Sequence, residues 1–315
     1  MNAVTQEETS RRDAWSKIHP TAPEDRAAMT ALRAVVEPMK GKMQGVGARE
    51  PFDGIMGRTA APPGVSYEAD TVGGVPGWWC RPEQARAGEV IMHLHGGWFN
   101  WGTAQAFRHL VGQLAVRAGV AAFVPDYRLA PEHPFPAAVL DAQACLEGFA
   151  EKGFQRIAIT GDSAGGCLAL SLLSIRSAGV VLPVAAAVLS PITDLTLSGA
   201  SWQTRMDADP YFTEQQAAGL VNAYLGDADP GDPMASPLFA DLAHLPPIRV
   251  HVGDDEVLLD DSCRYVERAV AAGVDARIDV WKGMPHGFAT GVGRLHAATQ
   301  ALDAIGTFLA KQLSD

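Results

Sequence analysis

From Val65 onward the chain alternates short apolar runs with longer segments whose apolar residues recur at helical spacing. The runs at 65–71, 78–81, 90–94, 120–124, 156–160, 184–189, 248–252 and Ala276–Trp281 read as strands, each bounded by Gly or Pro signals. The segments at 107–117, Ala137–Glu151, 165–177, 260–272 and 294–313 read as helices. Strand and helix in alternation predict a mostly parallel sheet with helices on both faces, an α/β fold. The first fifty or so residues do not look like sheet. Within them 24–39 reads as a helix with Pro23 near its start and Pro38 near its end, and the Gly-rich stretch 40–47 as mobile. After Ser190 the rhythm breaks for about fifty residues of helical pieces among loops. A long excursion from the C-terminal end of a strand is placed to form a lid, with the apolar N-terminal segment packed beside it.

The segment 156–177 is a strand, a sharp turn and a helix, and the turn reads Gly161-Asp162-Ser163-Ala164-Gly165. This is a G-x-S-x-G nucleophile elbow, in which the glycines let strand and helix pass closely and the Ser hydroxyl stands above the sheet edge. The helix that follows aims its N-terminal N–H groups at the same spot, where they favour negative charge on a substrate oxygen.

Composition narrows the function classes. With 315 residues and 47% hydrophobic content the chain can bury a large core. A formal net charge of −11 argues against nucleic acid or an anionic membrane as partner. No apolar leader and no run of 18 apolar residues is seen, so a cytoplasmic protein is expected. Cys80, Cys145, Cys167 and Cys263 match no metal-ligand or redox spacing and read as buried free thiols, so neither metal nor cofactor is expected.

A Ser hydroxyl attacks an ester only with a His base, itself oriented by a carboxylate that follows the Ser and precedes the His in the chain. Of His244, His251, His286 and His296, only His286 lies in a flexible loop beyond a strand and ahead of the last helix. It is the expected base. The acid is expected in the VGDDEVLLDDS loop; Asp260 and Asp261 read as caps of the next helix, which leaves Asp255 and Glu256. The oxyanion donors are expected from Gly96 and Gly97, in the His95-Gly96-Gly97-Trp98 loop after a strand, together with Ala164. His95 reads as a loop brace.

Three blocks, HGGW at His95 to Trp98, DYRLAPEHPFPAA at Asp126 to Ala138, and GDSAGG at Gly161 to Gly166, resemble the bacterial hormone-sensitive-lipase-like esterases of the α/β-hydrolase-3 group. The resemblance covers roughly residues 60–313 and implies an α/β-hydrolase core at 56–193 and 236–315. It implies a helical cap made of residues 1–55 and an insertion at 194–235. Asp126, Arg128 and Pro131 look like a buried turn that supports the oxyanion loop and elbow. Aligned without gaps, 256–261 falls on the family's acid segment, which implies Glu256 as the acid. Trp98 stands where the family has a third Gly, and Trp98 and Phe99 are expected to wall the substrate pocket as readily as to pack the core.

The implied activity is hydrolysis of small to medium, short-acyl esters or lactones by a Ser163–Glu256–His286 triad through an acyl-enzyme. An amidase or formamidase on the same site is the first rival, since related hydrolases carry an HGG-x-W loop, although here the Trp is displaced by one residue. A non-catalytic small-molecule receptor is the second. A homodimer pairing through Ala276–Trp281, read as a late sheet edge, is also expected.

Overall fold

A computed structural model describes residues 14–175 and 182–315. Nine strands form a single sheet in the order β1-β9-β8-β7-β6-β4-β5-β3-β2. The outer hairpin, β2 (Val65–Val72) and β3 (Val75–Pro82), is antiparallel, and β3 pairs antiparallel with β5 (Val120–Pro125). Every other pairing is parallel, through β4 (Arg86–Leu94), β6 (Arg156–Asp162), β7 (Ala185–Leu189), β8 (Ile248–Gly253) and β9 (Ala276–Trp281). Burial explains which strands the sequence shows best. All residues of β5 and β7 are buried, so these strands are continuous apolar runs covered on both faces, whereas β2 is mostly exposed. The covering helices are α3 (Ala104–Ala118), α4 (Ala137–Glu151), α5 (Ala164–Ser174), α8 (Leu259–Ala271) and α9 (His296–Ser314). Arg176 and Ser177, the end of the helix expected at 165–177, lie outside the described residues. No helix among the described residues is long and apolar enough to cross a membrane.

The N-terminal region departs from expectation in three ways. It contributes a strand, β1 (Ser16–His19), which pairs in parallel with β9 in the register Ser16 to Ile278 and His19 to Trp281. Ala276–Trp281 is therefore an interior strand between β8 and β1, not the sheet edge expected, and the side on which a dimer was expected to pair is occupied within the chain by β1. His19 pins the added strand, stacking on Trp281 at 3.8 Å and reaching the Asp279 carboxylate at 2.6 Å. Next, α1 (Pro23–Val36) runs as expected into a short 3₁₀ turn and is followed by an unpredicted α2 (Arg49–Met56). Finally, the stretch expected to be mobile is tied down: Gly41 N–H donates to Tyr211 O at 2.9 Å, Gln216 Nε2 to Met43 O at 2.6 Å, and Trp101 Nε1 to Gly45 O at 2.8 Å.

These ties run mostly to the excursion between β7 and β8, whose helices are α6 (Ser201–Thr204) and α7 (Glu214–Leu225). Arg33 donates to Ala208 O at 2.8 Å and Lys40 to Asp209 O at 2.6 Å, so the N-terminal segment and the excursion pack as one layer above the C-terminal ends of the parallel strands. Asp25 makes a further long-range tie. Buried in α1, it accepts the N–H groups of His296 and Ala297 at 2.7 and 2.9 Å, so its charge sits on the N-terminus of α9.

Candidate active site

Four chain crossings at the C-terminal edge of the sheet bring the expected residues together. At the end of β6, Ser163 takes φ 55° and ψ −121°, a strained conformation for a residue with a Cβ. Its flanking glycines are sterically required: a Cβ on Gly161 would lie 2.3 Å from Gly165 O, and one on Gly165 would lie 1.9 Å from Leu94 O. The turn is closed by Ser163 N–H on Leu189 O at 2.8 Å and by Ile192 N–H on Ser163 O at 3.2 Å.

Beyond β8 and β9 two loops cross, and Gly253 allows the crossing, since a Cβ there would lie 2.0 Å from Met284 O. Across this contact Glu256 Oε2 meets His286 Nδ1 at 2.7 Å. The other oxygen of Glu256 accepts from Ser190 Oγ and from Gly253 N–H, each at 2.7 Å, so this fully buried carboxylate is satisfied on both sides. Burial disfavours the charged imidazole of His286, but the charge and hydrogen bond of Glu256, with Asp209 and Asp162 farther off, outweigh it and raise its pKa above the ordinary value. Asp255 points elsewhere, its Oδ2 held by Arg33 at 2.6 Å. Asp260 and Asp261 do not cap their own helix. Asp260 accepts Ser201 N–H at 2.9 Å, and Asp261 accepts the N–H groups of Thr193 and Asp194 at 2.8 and 3.0 Å, so both brace the excursion. Burial pushes the Asp261 carboxyl up to about 7, against the N–H of Thr193.

The loop after β4 is also held from several directions. Gly97 O accepts from the N–H groups of Asn100 and Trp101 at 3.0 and 2.9 Å, and Arg49 Nε reaches Asn100 O at 2.9 Å. Its support from 126–138 is direct: Tyr127 Oη donates to His95 O at 2.7 Å, and Ala130 N–H donates to Phe99 O at 2.9 Å. Of the three expected oxyanion donors, Gly96 is withdrawn, because its N–H is spent on Asp162 Oδ1 at 3.0 Å, an oxygen that His93 Nε2 also approaches at 3.2 Å. Among the described residues the N–H groups of Gly97, Trp98 and Ala164 have no acceptor. Trp98 and Phe99 both carry positive φ, 55° and 61°. Phe99 is core, stacked on Tyr224 at 3.8 Å and fully buried, so it does not wall the site. Trp98 faces a different cluster: its ring is 5.2 Å from Phe212 and 6.4 Å from Trp202, and Phe212 is 5.1 Å from His286.

Sequence reasoning did not single out Asp162, Ser190, Asp209, Trp202 or Phe212. Asp162 sits inside the elbow motif and could have been found there. Asp209, buried within the excursion, accepts Val257 N–H at 3.0 Å next to Glu256, as well as Tyr211 and Phe212 N–H at 2.8 and 3.0 Å, and carries no local signal.

A family model described as the α/β-hydrolase fold, third group, matches residues 91–290. The chain is 37% identical over 256 residues to an acetyl-hydrolase of Streptomyces hygroscopicus, covering 80% of this chain and 84% of that one. It is 40% identical over 233 residues to an esterase of Acinetobacter venetianus, covering 71% and 76%. Among solved structures, an esterase from the bacterial hormone-sensitive lipase family superposes with a TM-score of 0.85 at 37% identity, covering 93% of this chain and 99% of the other. An esterase/lipase from an uncultured bacterium gives 0.86 at 35% identity, covering 94% and 100%. With the elbow, the Glu–His pair and the glycine loop on one sheet edge, the chain belongs to the α/β-hydrolase-3 family and, within it, to the bacterial hormone-sensitive-lipase-like esterases.

Proposed function

We propose that the chain hydrolyses small to medium, short-acyl carboxylic esters or lactones, with Ser163 as nucleophile, His286 as base and Glu256 as the acid of the triad. The observation that carries this reading is the buried 2.7 Å contact between Glu256 Oε2 and His286 Nδ1, on the edge where Ser163 holds its strained turn. With Nδ1 engaged, the imidazole presents Nε2 as the free base. Ser163 Oγ attacks the carbonyl carbon as His286 takes its proton. The carbonyl oxygen becomes an oxyanion, held by the N–H groups of Gly97, Trp98 and Ala164. Collapse breaks the bond to the alkoxy oxygen, which leaves with the proton from His286, and an acyl-enzyme remains on Ser163. Water, deprotonated by His286, then attacks the acyl carbon and restores the Ser hydroxyl with release of the acid. Glu256 keeps the imidazolium oriented and charge-balanced in both halves. Loss of one oxyanion donor costs about 3 kcal/mol in the barrier. The name of the Streptomyces hygroscopicus relative, an acetyl-hydrolase, supports a short acyl group. The layer formed by the N-terminal segment and the excursion acts as the cap that closes over the substrate.

The test is hydrolysis of 4-nitrophenyl acetate through dodecanoate by wild type, Ser163→Ala, Glu256→Gln and Asp255→Asn, with a 4-nitroanilide alongside. The reading predicts turnover favouring short chains, abolished by Ser163→Ala and reduced steeply by Glu256→Gln but little by Asp255→Asn. Anilide preference would instead make it an amidase. Absence of both turnover and an organophosphate adduct on Ser163 would make it a receptor.

A further inference from the structure

The acid of the proposed triad is held from two directions, and one of them is the excursion. Within the core the Glu256 carboxylate is fixed by Ser190 and Gly253. Its main chain is held from outside. Asp209, 1% exposed between α6 and α7, accepts the N–H of Val257 at Oδ2, at 3.0 Å, and this N–H belongs to the peptide unit that joins Glu256 to Val257. Ser201 Oγ, from α6, donates to Val257 O on the other side of the same residue and accepts the N–H of Asp260 at 3.0 Å. Val257 is fully buried, so its N–H and C=O have no water to turn to, and both find their partners in the excursion. The excursion therefore sets the course of the chain as it leaves the acid.

The other oxygen of Asp209 serves the base. Oδ1 accepts the N–H groups of Tyr211 and Phe212 at 2.8 and 3.0 Å, closing a turn of the kind an Asp side chain makes with the residues just beyond it. This turn carries the Phe212 ring to 5.1 Å from His286, at 66° to the imidazole. Among the described residues no Arg or Lys side chain bonds the carboxylate, and Lys40 takes only the main-chain oxygen of Asp209, at 2.6 Å. Burial pushes the Asp209 carboxyl up, against the N–H groups of Val257, Tyr211 and Phe212 and the charge of His286. Protonated His286 in turn is stabilised by Glu256 first, then by Asp209 and Asp162. We infer that Asp209 is a positioning residue for the triad: through Val257 N–H it fixes the turn that carries Glu256, and through its own turn it sets Phe212 against His286. The excursion is then a working part of the acid–base pair as well as the proposed cover. An amide cannot replace this carboxylate, because both oxygens accept from N–H groups and the nitrogen of an Asn can only donate. The inference rests on the ester-hydrolase reading and adds a residue to its machinery.

The test is the pH profile of 4-nitrophenyl acetate hydrolysis by wild type, Asp209→Asn, Asp209→Glu, Glu256→Gln, the double variant of Asp209→Asn with Glu256→Gln, and Asp261→Asn, with kcat expressed per Ser163 labelled by an organophosphate. Asp261→Asn is the control, since that buried carboxylate braces the same excursion through Thr193 and Asp194 but bonds no member of the triad. Asp209→Asn is expected to lower kcat about ten-fold while KM stays within about two-fold. The rising limb of kcat/KM should move to lower pH, by less than in Glu256→Gln, because Glu256 is the larger cause raising the pKa of His286. In the Glu256→Gln background the same change should cost less in kcat, since no oriented carboxylate remains to be misplaced. Asp209→Glu keeps the charge on a longer arm, and should leave the limb where wild type has it without restoring kcat. A kcat within about two-fold of wild type in either Asp209 variant overturns the inference. So does a loss fully additive with Glu256→Gln, or one matched by Asp261→Asn with the limb unmoved in both; either makes Asp209 a brace of the fold and leaves the esterase reading standing. If Asp209→Asn does not fold, the kcat of Asp209→Glu decides. No turnover by wild type removes both readings.

Discussion

On the acid side of the site both oxygens of Glu256 and of Asp209 have partners, whereas on the aromatic side several donors have none among the described residues. Glu256 is satisfied at both oxygens, by Ser190, Gly253 and His286, and Asp209 holds the next residue's N–H. On the glycine-loop side the main-chain N–H groups of Gly97 and Trp98 have no acceptor among the described residues, and the indole N–H groups of Trp98 and Trp202 are buried without one. The difference separates two tasks. A group that must orient a base through the whole cycle is stabilised by being saturated within the fold, and a group that must meet substrate is useful only if the fold leaves it unsaturated.

The comparison breaks most sharply at Glu256. In the proposed mechanism Glu256→Gln keeps the shape but removes the charge that orients the imidazolium, and kcat is expected to fall about 10³ to 10⁴-fold. The pH profile sharpens the same point. In the proposed mechanism His286 must be neutral to accept the Ser163 proton, so activity should be lost as pH falls through its raised pKa, and the rising limb of kcat/KM in wild type is expected above the ~6.5 of a free imidazole. In Glu256→Gln the residual activity should rise at lower pH than in wild type, because the largest cause raising this pKa is gone while burial remains. A limb that stays put would mean that another group titrates.

Asp162 joins the two sides. It fixes the glycine loop through Gly96 N–H and lends charge to His286. Asp162→Asn is expected to lower kcat about ten-fold, with little change in KM and a small downward move of the rising limb. The smallest expected effect lies outside the site. Asp25→Ala removes the carboxylate from the start of α9 and should cost about 1–2 kcal/mol in stability, read as a lower urea midpoint with an unchanged slope and an unchanged kcat.

What could be read in advance follows the same division between local and distant causes. The interior parallel strands announce themselves because both faces are buried, and the elbow because its glycines are demanded within five residues of chain. The four residues of β1 carry no such mark, since they are a strand only by pairing with β9. Gly96 reads as a donor from the motif alone, but its N–H is claimed by Asp162, 66 residues away. The choice between Glu256 and Asp255 was open because the deciding partners, His286 and Arg33, come from opposite ends of the chain. Phe99 and Trp98 are adjacent, yet the turn sends one ring to Tyr224 and the other to Phe212.

The docking of β1 on β9 also dictates an order of assembly. His19 finds Asp279 only across 260 residues, and Asp25 finds Ala297 across 272. During synthesis residues 16–25 must therefore wait, without their partners, until residues 276–297 have left the ribosome, and β1 joins the sheet by closure over a very long loop. Until that closure the N–H and C=O groups of Ser16–His19 and the far edge of β9 stand unpaired, an exposed strand edge open to wrong partners.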